Sequence, residues 1–182
     1  ILGASADDGI GVAGMAPNAR VMTLRAFDIY GLGGRDSQQV AAIDYAWKNG
    51  AKVINASFGC SSKYACKSDS VEAAIQRARD HDVLFIAAAG NDHGQNNDND
   101  PFYPASYPED NVISVASVDP DRTLSDFSNF GAKSVDLGAP GREVLSTATK
   151  GNYKFRTGTS MSAPVVSGVA AWLWGVRPSA TY

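Results

Sequence analysis

The segment Val83–Ala89 (VLFIAAA) places the strongest constraint on the fold, because it is apolar at every position. A strand that faces solvent on one side alternates apolar and polar residues, whereas an uninterrupted apolar run is typical of a parallel strand covered on both faces. Asn111–Val118 (NVISVASV) has the same character. The two segments therefore predict a parallel sheet in the interior of the molecule.

Two amphipathic helices are predicted before the first of these strands. Asp36–Asn49 begins with a capping-box pattern formed by Asp36 and Gln39, and its apolar face comprises Val40, Ile43 and Trp47. The second helix starts near Asp69, with Glu72 three residues on. Its apolar stripe comprises Val71, Ala74, Ile75 and Ala78.

Shorter patterns complete the alternation of strands and helices. Strands are predicted at Ala19–Phe27, which ends before a Gly-rich turn at Gly31–Gly34, at Ala51–Phe58, near Val135, near Val144, and in a hairpin near Tyr153–Arg156. The last element, Ser160–Val176, is helical and nearly all apolar, so we expect it to be buried. This alternation predicts an α/β fold, a parallel sheet with helices on both faces.

Length and charge exclude several classes of protein. The 182 residues suit one domain with a core of its own, and the net charge of −3 has no basic patch typical of nucleic-acid binding. No apolar run approaches the roughly eighteen residues that a membrane span needs. A globular enzyme or binding domain is left as the working expectation.

The two cysteines, Cys60 and Cys66, lie in a polar loop. They cannot form a zinc site alone, because structural zinc takes four ligands and no further Cys or His completes a set. We favour a disulfide, which would place the protein in an oxidising compartment; two unpaired thiols are the alternative.

Two polar side chains fall where functional residues of such sheets gather, beyond the carboxyl ends of the strands. Val83–Ala89 runs into Asn91, and Ser160 opens the last helix, where free backbone N–H groups favour negative charge. A side-chain amide and a backbone N–H aimed at one point would form an oxyanion hole. Taken singly, Asn91 is a turn residue and Ser160 a helix N-cap; it is the pair that suggests catalysis.

The segment around Ser160, GTSMSAPVVSG, resembles the nucleophile motif GTSMAxPxVAG of the subtilases, the subtilisin-like serine peptidases. It is not a G-x-S-x-G nucleophile elbow, because the second Gly is absent. Four other stretches resemble subtilase segments in the family's order: GIGVAGMAPNARVMTLRAFD, KVINASFG, FIAAAGND and DLGAPG. Together they extend over almost the whole chain.

The resemblance implies a three-layer α/β fold of the subtilisin-like type and a serine endopeptidase activity. It assigns the nucleophile to Ser160 and the oxyanion donor to Asn91. An extended polypeptide substrate would pair through its backbone with residues 57–59. Thr159 and Ser57 are expected beside Ser160 and Asn91. The residues expected to flank that substrate are Ser57, Phe58, Gly59, Ala88, Ala89, Gly90 and Thr159.

The resemblance also implies a base that this chain does not offer. A subtilase triad follows the order Asp, His, Ser, and no segment here resembles the family's Asp strand or its His helix. We therefore expect residues 1–182 to be a partial catalytic domain, truncated at both ends and inactive alone. The alternatives are a peptide-binding pseudoprotease that kept the cleft without the base, and an unrelated α/β protein with a chance serine motif.

Neither histidine is a convincing substitute for that base. His81 precedes Val83–Ala89 and would lie at the amino end of the strand, about 20 Å from the carboxyl edge at roughly 3.3 Å per residue. His93 falls on the correct edge, but nothing near it in the tract NDHGQNNDND would orient it. We interpret His93 as a loop histidine, with a catalytic role as the weaker alternative.

No cofactor is expected. The spacing of Asp and Asn in NDHGQNNDND fits no EF-hand loop, although a structural calcium elsewhere in the intact protein is compatible with the family. Asp136 and the pair Asp98 and Asp100 are interpreted as turn or loop carboxylates. The expected partner is a polypeptide substrate, with a pro-segment as a further partner of the intact protein; nucleic acid and membrane are not expected. Secretion, or another oxidising compartment, is the expected location.

Overall fold

The computed structural model describes residues 1–27 and 34–182. Within these ranges the helices are α1 (Asp36–Lys48), α2 (Asp69–Arg79) and α3 (Thr159–Val176). The strands are β1 (Val53–Ala56), β2 (Cys60–Ser61), β3 (Leu84–Ala88), β4 (Phe102–Tyr103), β5 (Val112–Val118), β6 (Leu137–Pro140), β7 (Val144–Thr147) and β8 (Tyr153–Arg156). Four of these strands form a parallel sheet in the order β1-β3-β5-β6.

Strand β3 lies inside this sheet and is buried along its whole length, as predicted. Its side chains alternate between two apolar cores, one on each face of the sheet. Val83, Phe85 and Ala87 pack with residues of α1 and α2, whereas Leu84, Ile86 and Ala88 pack with residues of α3. Because successive side chains of a strand point to opposite faces, one apolar run supplies both cores. The three-layer α/β fold is confirmed.

Helices α1 and α2 begin where the sequence predicts, but other residues cap them. The backbone N–H of Arg35 donates to Oε1 of Gln38 at 3.0 Å, so the box lies one residue before the predicted Asp36 and Gln39. Ser68 caps α2 by accepting the N–H of Val71. The predicted stripe of α2 is buried at all of its positions: Val71, Ala74, Ile75 and Ala78.

Helix α3 is only partly buried, so the expectation of full burial was wrong for its second half. Its first half lies on the sheet, and Ala163 is fully buried. Farther along, the outward face carries large exposed apolar side chains: Val169, Trp172, Leu173 and Val176. Nothing in the described ranges covers this face. None of the described helices combines the length and apolarity needed to cross a bilayer.

The predicted strand at Ala19–Phe27 does not form. Residues 19–26 and β1 both line an apolar groove of about 750 Å³, which also reaches Ile43 of α1 and Trp174 of α3. A strand exists only where a neighbour pairs with its backbone, and within the described ranges no strand pairs with this segment. The turn predicted at Gly31–Gly34 lies outside the described residues, except for Gly34. The remaining predicted hairpin is present as the antiparallel pair β7 and β8.

Cys60 and Cys66 form a disulfide, with their Cα atoms 6.0 Å apart. The bridge closes a loop that contains a single 3-10 turn, Ser62–Tyr64. Cys60 also lies in β2, which pairs with β4 through Tyr103. The disulfide favoured from the sequence is therefore present in the structure.

Removing this bridge should lower the free energy of unfolding by about 2 kcal/mol, the value for closing a loop of this length in the unfolded chain. Equilibrium urea unfolding of the double variant Cys60→Ser/Cys66→Ser measures the loss. Dithiothreitol should lower the midpoint of the wild type equally and leave the double variant unchanged. A wild-type midpoint that does not respond to the reductant would contradict this expectation.

Candidate active site

Ser160 lies in the first turn of α3, and a glycine sets the approach to that turn. Gly158 has φ +145°, a backbone conformation that residues other than glycine rarely adopt. Its N–H donates to the carbonyl of Gly141 at 2.8 Å. The hydroxyl of Ser162 donates to the carbonyl of Ala139 at 2.9 Å. These bonds tie the start of α3 to the carboxyl end of β6, so the position of Ser160 follows from the sheet.

Pro164 explains why Ser57 lies against Ser160. A helix residue normally donates its N–H to the carbonyl four residues earlier, but proline has no N–H, so the carbonyl of Ser160 lacks this donor. The hydroxyl of Ser57 supplies the missing bond at 3.0 Å. In return, Oγ of Ser160 donates to the carbonyl of Ser57 at 3.1 Å. The two predicted site residues are therefore linked in both directions.

Thr159 orients the side-chain amide of Asn91. Oδ1 of Asn91 accepts the N–H of Thr159 at 2.9 Å and the Thr159 hydroxyl at 3.1 Å. The same hydroxyl accepts the N–H of Gly90 at 3.3 Å. Because both bonds to the amide end on its oxygen, Nδ2 is turned away and has no acceptor among the described residues. It is left as a donor at the start of α3, 3.5 Å from the position that a Cβ on Gly158 would take.

The residues predicted to flank a substrate lie at the carboxyl ends of two neighbouring strands. Ser57, Phe58 and Gly59 follow β1, whereas Ala88 and Gly90 lie at the end of β3; β1 and β3 are parallel with Ala56 opposite Ala87. Gly59 has no room for a side chain, because a Cβ there would lie 2.6 Å from the carbonyl oxygen of Tyr103. Nearby, a cavity of about 520 Å³ is lined by aromatic side chains and the disulfide: Phe27, Phe58, Tyr103, Tyr107, Cys60 and Cys66.

The two histidines occupy the positions that the sequence predicts. His81 follows α2, stacks on Trp47 with ring centroids 3.9 Å apart, and bonds through Nδ1 to the carbonyl of Arg77 at 2.8 Å. His93 is exposed in the loop after β3, with φ +53°, and its backbone N–H donates to Phe127. Neither histidine has a hydrogen bond to Ser160 in the described ranges. The hydroxyl of Ser160 therefore has no base among these residues.

The acidic residues considered for catalysis or metal binding take part in local structure instead. Asp98 accepts the hydroxyl of Ser134 and the backbone N–H groups of residues 132–134, and these bonds lower the pKa of its carboxyl group. Asp136 accepts the N–H of Ser114 beside β5, and Asp100 accepts the hydroxyl of Ser62. Across residues 1–27 and 34–182, no three His, Cys, Asp or Glu side chains cluster as metal ligands would.

Tyr107 is a buried phenol on the wall of the aromatic cavity. Its hydroxyl donates to the carbonyl of Ser68 and accepts the N–H of the same residue, both at 2.9 Å. Burial raises the pKa of Tyr107 to about 12, because the phenolate would lose its hydration. The tyrosine thus holds the N-terminus of α2 against the loop after β4.

This pKa predicts a loss of stability at alkaline pH. Above pH 10 the unfolded chain releases the Tyr107 proton while the folded chain retains it, so the free energy of unfolding falls as pH rises from about 10 to 12. The loss is at most about 3 kcal/mol. Urea unfolding at several pH values should show a shallower fall in Tyr107→Phe than in the wild type. Tyr45→Phe, the same change at an exposed site, is the control; an equally steep fall in Tyr107→Phe would contradict the assignment.

Sequence interpretation placed Thr159 beside Ser160 and Asn91, and Thr159 does contact the Asn91 amide. The buried side chains of Asn97 and Asn129, behind the loop of Asn91, were not identified at all. Asn129 carries no local signal, because the loop it contacts is 37 positions away along the chain at Asp92.

Comparison with known proteins identifies a family for the chain. The family model described as "Subtilase family" matches residues 1–182. The chain is 42% identical over 173 residues to the thermophilic serine proteinase of Bacillus sp. (strain AK1), covering 95% of this chain and 40% of that protein. It is 35% identical over 176 residues to subtilisin DY of Bacillus licheniformis, covering 97% and 61% respectively. Among solved structures, a protease from Pseudoalteromonas arctica PAMC 21717 has a TM-score of 0.88 at 32% identity, covering 99% of this chain and 57% of that one.

A parallel α/β sheet that sets a serine in the first turn of a helix near an oriented amide is typical of serine hydrolases with an oxyanion site. The chain belongs to the subtilase family of serine peptidases. It spans 40% of the length of the Bacillus sp. (strain AK1) relative and 13% of subtilisin-like protease 2 of Plasmodium falciparum.

Proposed function

We propose that residues 1–182 form the nucleophile-bearing part of a serine endopeptidase domain. Ser160 attacks the scissile carbonyl, and the resulting oxyanion is held by Nδ2 of Asn91 and the backbone N–H of Ser160. The observation that carries the proposal is the pair of bonds from Thr159 to Oδ1 of Asn91. These bonds leave the side-chain donor of Asn91 without an acceptor among the described residues, close to Gly158 at the start of α3. A cleft that only bound peptides would have no need of such a donor.

In this proposal, the general base that takes the proton of Ser160 lies in polypeptide outside residues 1–182. The hydroxyl of Ser160 donates to the carbonyl of Ser57, which cannot take a proton at neutral pH. A serine hydroxyl is a weak nucleophile without an adjacent base. The intact protein is therefore the active species, and the isolated chain of residues 1–182 has little or no activity.

The proposed substrate is a polypeptide bound in an extended conformation. Its backbone pairs with residues 57–59 and lies against residues 88–90, at the carboxyl ends of β1 and β3. The chemistry requires no cofactor, because the nucleophile and the oxyanion donors are groups of the chain itself. The other proposed partner is a pro-segment of the intact protein; nucleic acid and membrane take no part. The disulfide supports secretion or another oxidising compartment.

A serine-directed fluorophosphonate probe tests this proposal directly. The probe should label the intact protein, leave the Ser160→Ala variant unlabelled, and leave the isolated chain of residues 1–182 unlabelled. Ser70→Ala, which changes an exposed serine of α2, is the control and should label like the wild type. Labelling of the isolated chain would show that it contains a base, and His93 would then be the candidate.

A second function, a peptide-binding pseudoprotease, is favoured by one observation: the hydroxyl of Ser160 is engaged by the carbonyl of Ser57 rather than by a base. The same probe separates the two functions. A folded intact protein that binds peptides and takes no label would establish the pseudoprotease and end the peptidase proposal.

A further inference from the structure

Asn129 is fully buried behind the loop that carries Asn91, and it bonds to the backbone on both sides of that residue. Its backbone N–H donates to the carbonyl of Gly90 at 3.0 Å. Its Oδ1 accepts the N–H of Asp92 at 2.7 Å, and its Nδ2 donates to Oδ2 of Asp92 at 3.1 Å. Three hydrogen bonds from one residue therefore fix the positions before and after Asn91.

Both hydrogens of the side-chain Nδ2 and the backbone carbonyl of Asn129 are also engaged. The second hydrogen of its Nδ2 is donated to Oδ1 of Asn97 at 3.1 Å, and its carbonyl accepts the hydroxyl of Ser128 at 3.0 Å. Asn97 is itself buried and donates through Nδ2 to the carbonyl of Ala89 at 2.8 Å. The two asparagines thus hold the loop by hydrogen bonds to Ala89, Gly90 and Asp92.

Gly90 is matched to this arrangement. It has φ +113°, and a Cβ built on it would lie 2.3 Å from Nδ2 of Asn129. The loop and the asparagine are therefore in direct contact, and the backbone can approach only because residue 90 has no side chain. On the opposite side the N–H of Gly90 reaches the hydroxyl of Thr159, so the loop is held from two directions.

We propose that Asn129 is a positioning residue for Asn91, and that it keeps the Asn91 amide where the oxyanion forms. The inference rests on the proposed function above and deepens it. An oxyanion donor lowers the barrier only if it is held at about 3 Å from the developing charge before the reaction begins. Thr159 sets the direction of the amide, whereas Asn129 sets the position of the backbone that carries it.

Replacement of Asn129 by alanine in the intact protein should lower kcat about tenfold and leave KM within about twofold. This split is expected because an oxyanion donor acts in the transition state and contributes little to ground-state binding. The matched control is Asn111→Ala. Asn111 is equally buried and donates to the carbonyls of Ile75 and Val83, at the amino end of β3 and away from the site. The control should lower the Tm and leave kcat unchanged.

A double-mutant cycle separates positioning from a general loss of packing. In the Asn91→Ala background, where the donor is already gone, adding Asn129→Ala should lower kcat by less than about twofold. Equal losses in both backgrounds, or an unchanged kcat in Asn129→Ala, would overturn the proposal. If Asn129→Ala does not fold, Asn97→Ala serves instead; it keeps the three bonds to residues 90 and 92 and should cost about threefold in kcat, again only when Asn91 is present.

Amide hydrogen exchange keeps this inference distinct from the proposed function. The N–H of Asp92 should exchange faster in Asn129→Ala than in the wild type, and at the wild-type rate in Asn111→Ala. An intact wild type without peptidase activity would refute the proposed function, and the exchange rates would still decide whether Asn129 holds the loop. Unchanged exchange at Asp92 would refute the positioning role whatever the activity.

Discussion

Ser160→Ala in the intact protein should lower kcat on the order of 10⁶-fold, the loss known for removal of the nucleophile of subtilisin itself. The size of the effect follows from the site, because the neighbouring hydroxyl in the described part of the chain is already engaged. That hydroxyl belongs to Ser57, and it is donated to the carbonyl of Ser160. Steady-state hydrolysis of a chromogenic peptide by purified, folded variant measures the loss.

Ser70→Ala again provides the control, with kcat and KM equal to those of the wild type. KM of Ser160→Ala, or the Kd of a non-cleaved peptide, should change by less than about threefold, because the proposed backbone pairing of the substrate with residues 57–59 does not use the Ser160 hydroxyl. If Ser160→Ala retained more than a few per cent of wild-type kcat, another residue would be the nucleophile.

Asn91→Ala should lower kcat by about 10²- to 10³-fold with little change in KM, the range known for the corresponding amide donor of subtilisin. The alanine removes Nδ2, which has no acceptor among residues 1–27 and 34–182 because Thr159 holds only the amide oxygen. Asn91→Asp should be at least as damaging, since it places a carboxylate where negative charge develops in the transition state. Comparison of kcat and KM for both variants, at a pH where wild-type activity is maximal, makes the measurement.

Fluorophosphonate labelling adds a check on Asn91→Ala that does not depend on turnover. Its nucleophile and base are intact, so the variant should still label, more slowly than the wild type. A fall confined to KM would mean that Asn91 binds substrate rather than the transition state, and it would remove the oxyanion role from the proposal. Thr159→Ser, which keeps both the N–H and the hydroxyl that hold Asn91, should retain most of the activity.

Several elements were predicted from local sequence because the information they need is contained within the segment. The apolar run Val83–Ala89 describes a strand with two covered faces, and β3 is that strand. The 3.6-residue period of α2 marks the same four side chains that are buried in the structure. Ser160 at the start of a helix and Asn91 at the end of a strand were located in the same way, by where each element ends.

Local patterns were less reliable for the residues that cap a helix and for the burial of a helix face. The capping box of α1 begins at Arg35 instead of Asp36, because Gln38 is placed to accept the preceding N–H. Helix α3 is nearly all apolar, a pattern that predicts full burial. Exposure is set by what lies over the helix, however, and the face with Trp172 has no cover in the described ranges.

Local sequence was sufficient to predict a parallel sheet with helices on both faces and its three helices, because periodicity is local. It was also sufficient to locate the helix start at Ser160 and the strand end near Asn91, on which the proposed chemistry depends. Tertiary structure alone decided that residues 19–27 do not form a strand, since a strand needs a paired neighbour. It alone brought Asn129 against Asp92, over 37 positions of chain. Buried polar groups must find partners wherever the folded chain provides them, and those partners are not recorded in the spacing of nearby residues.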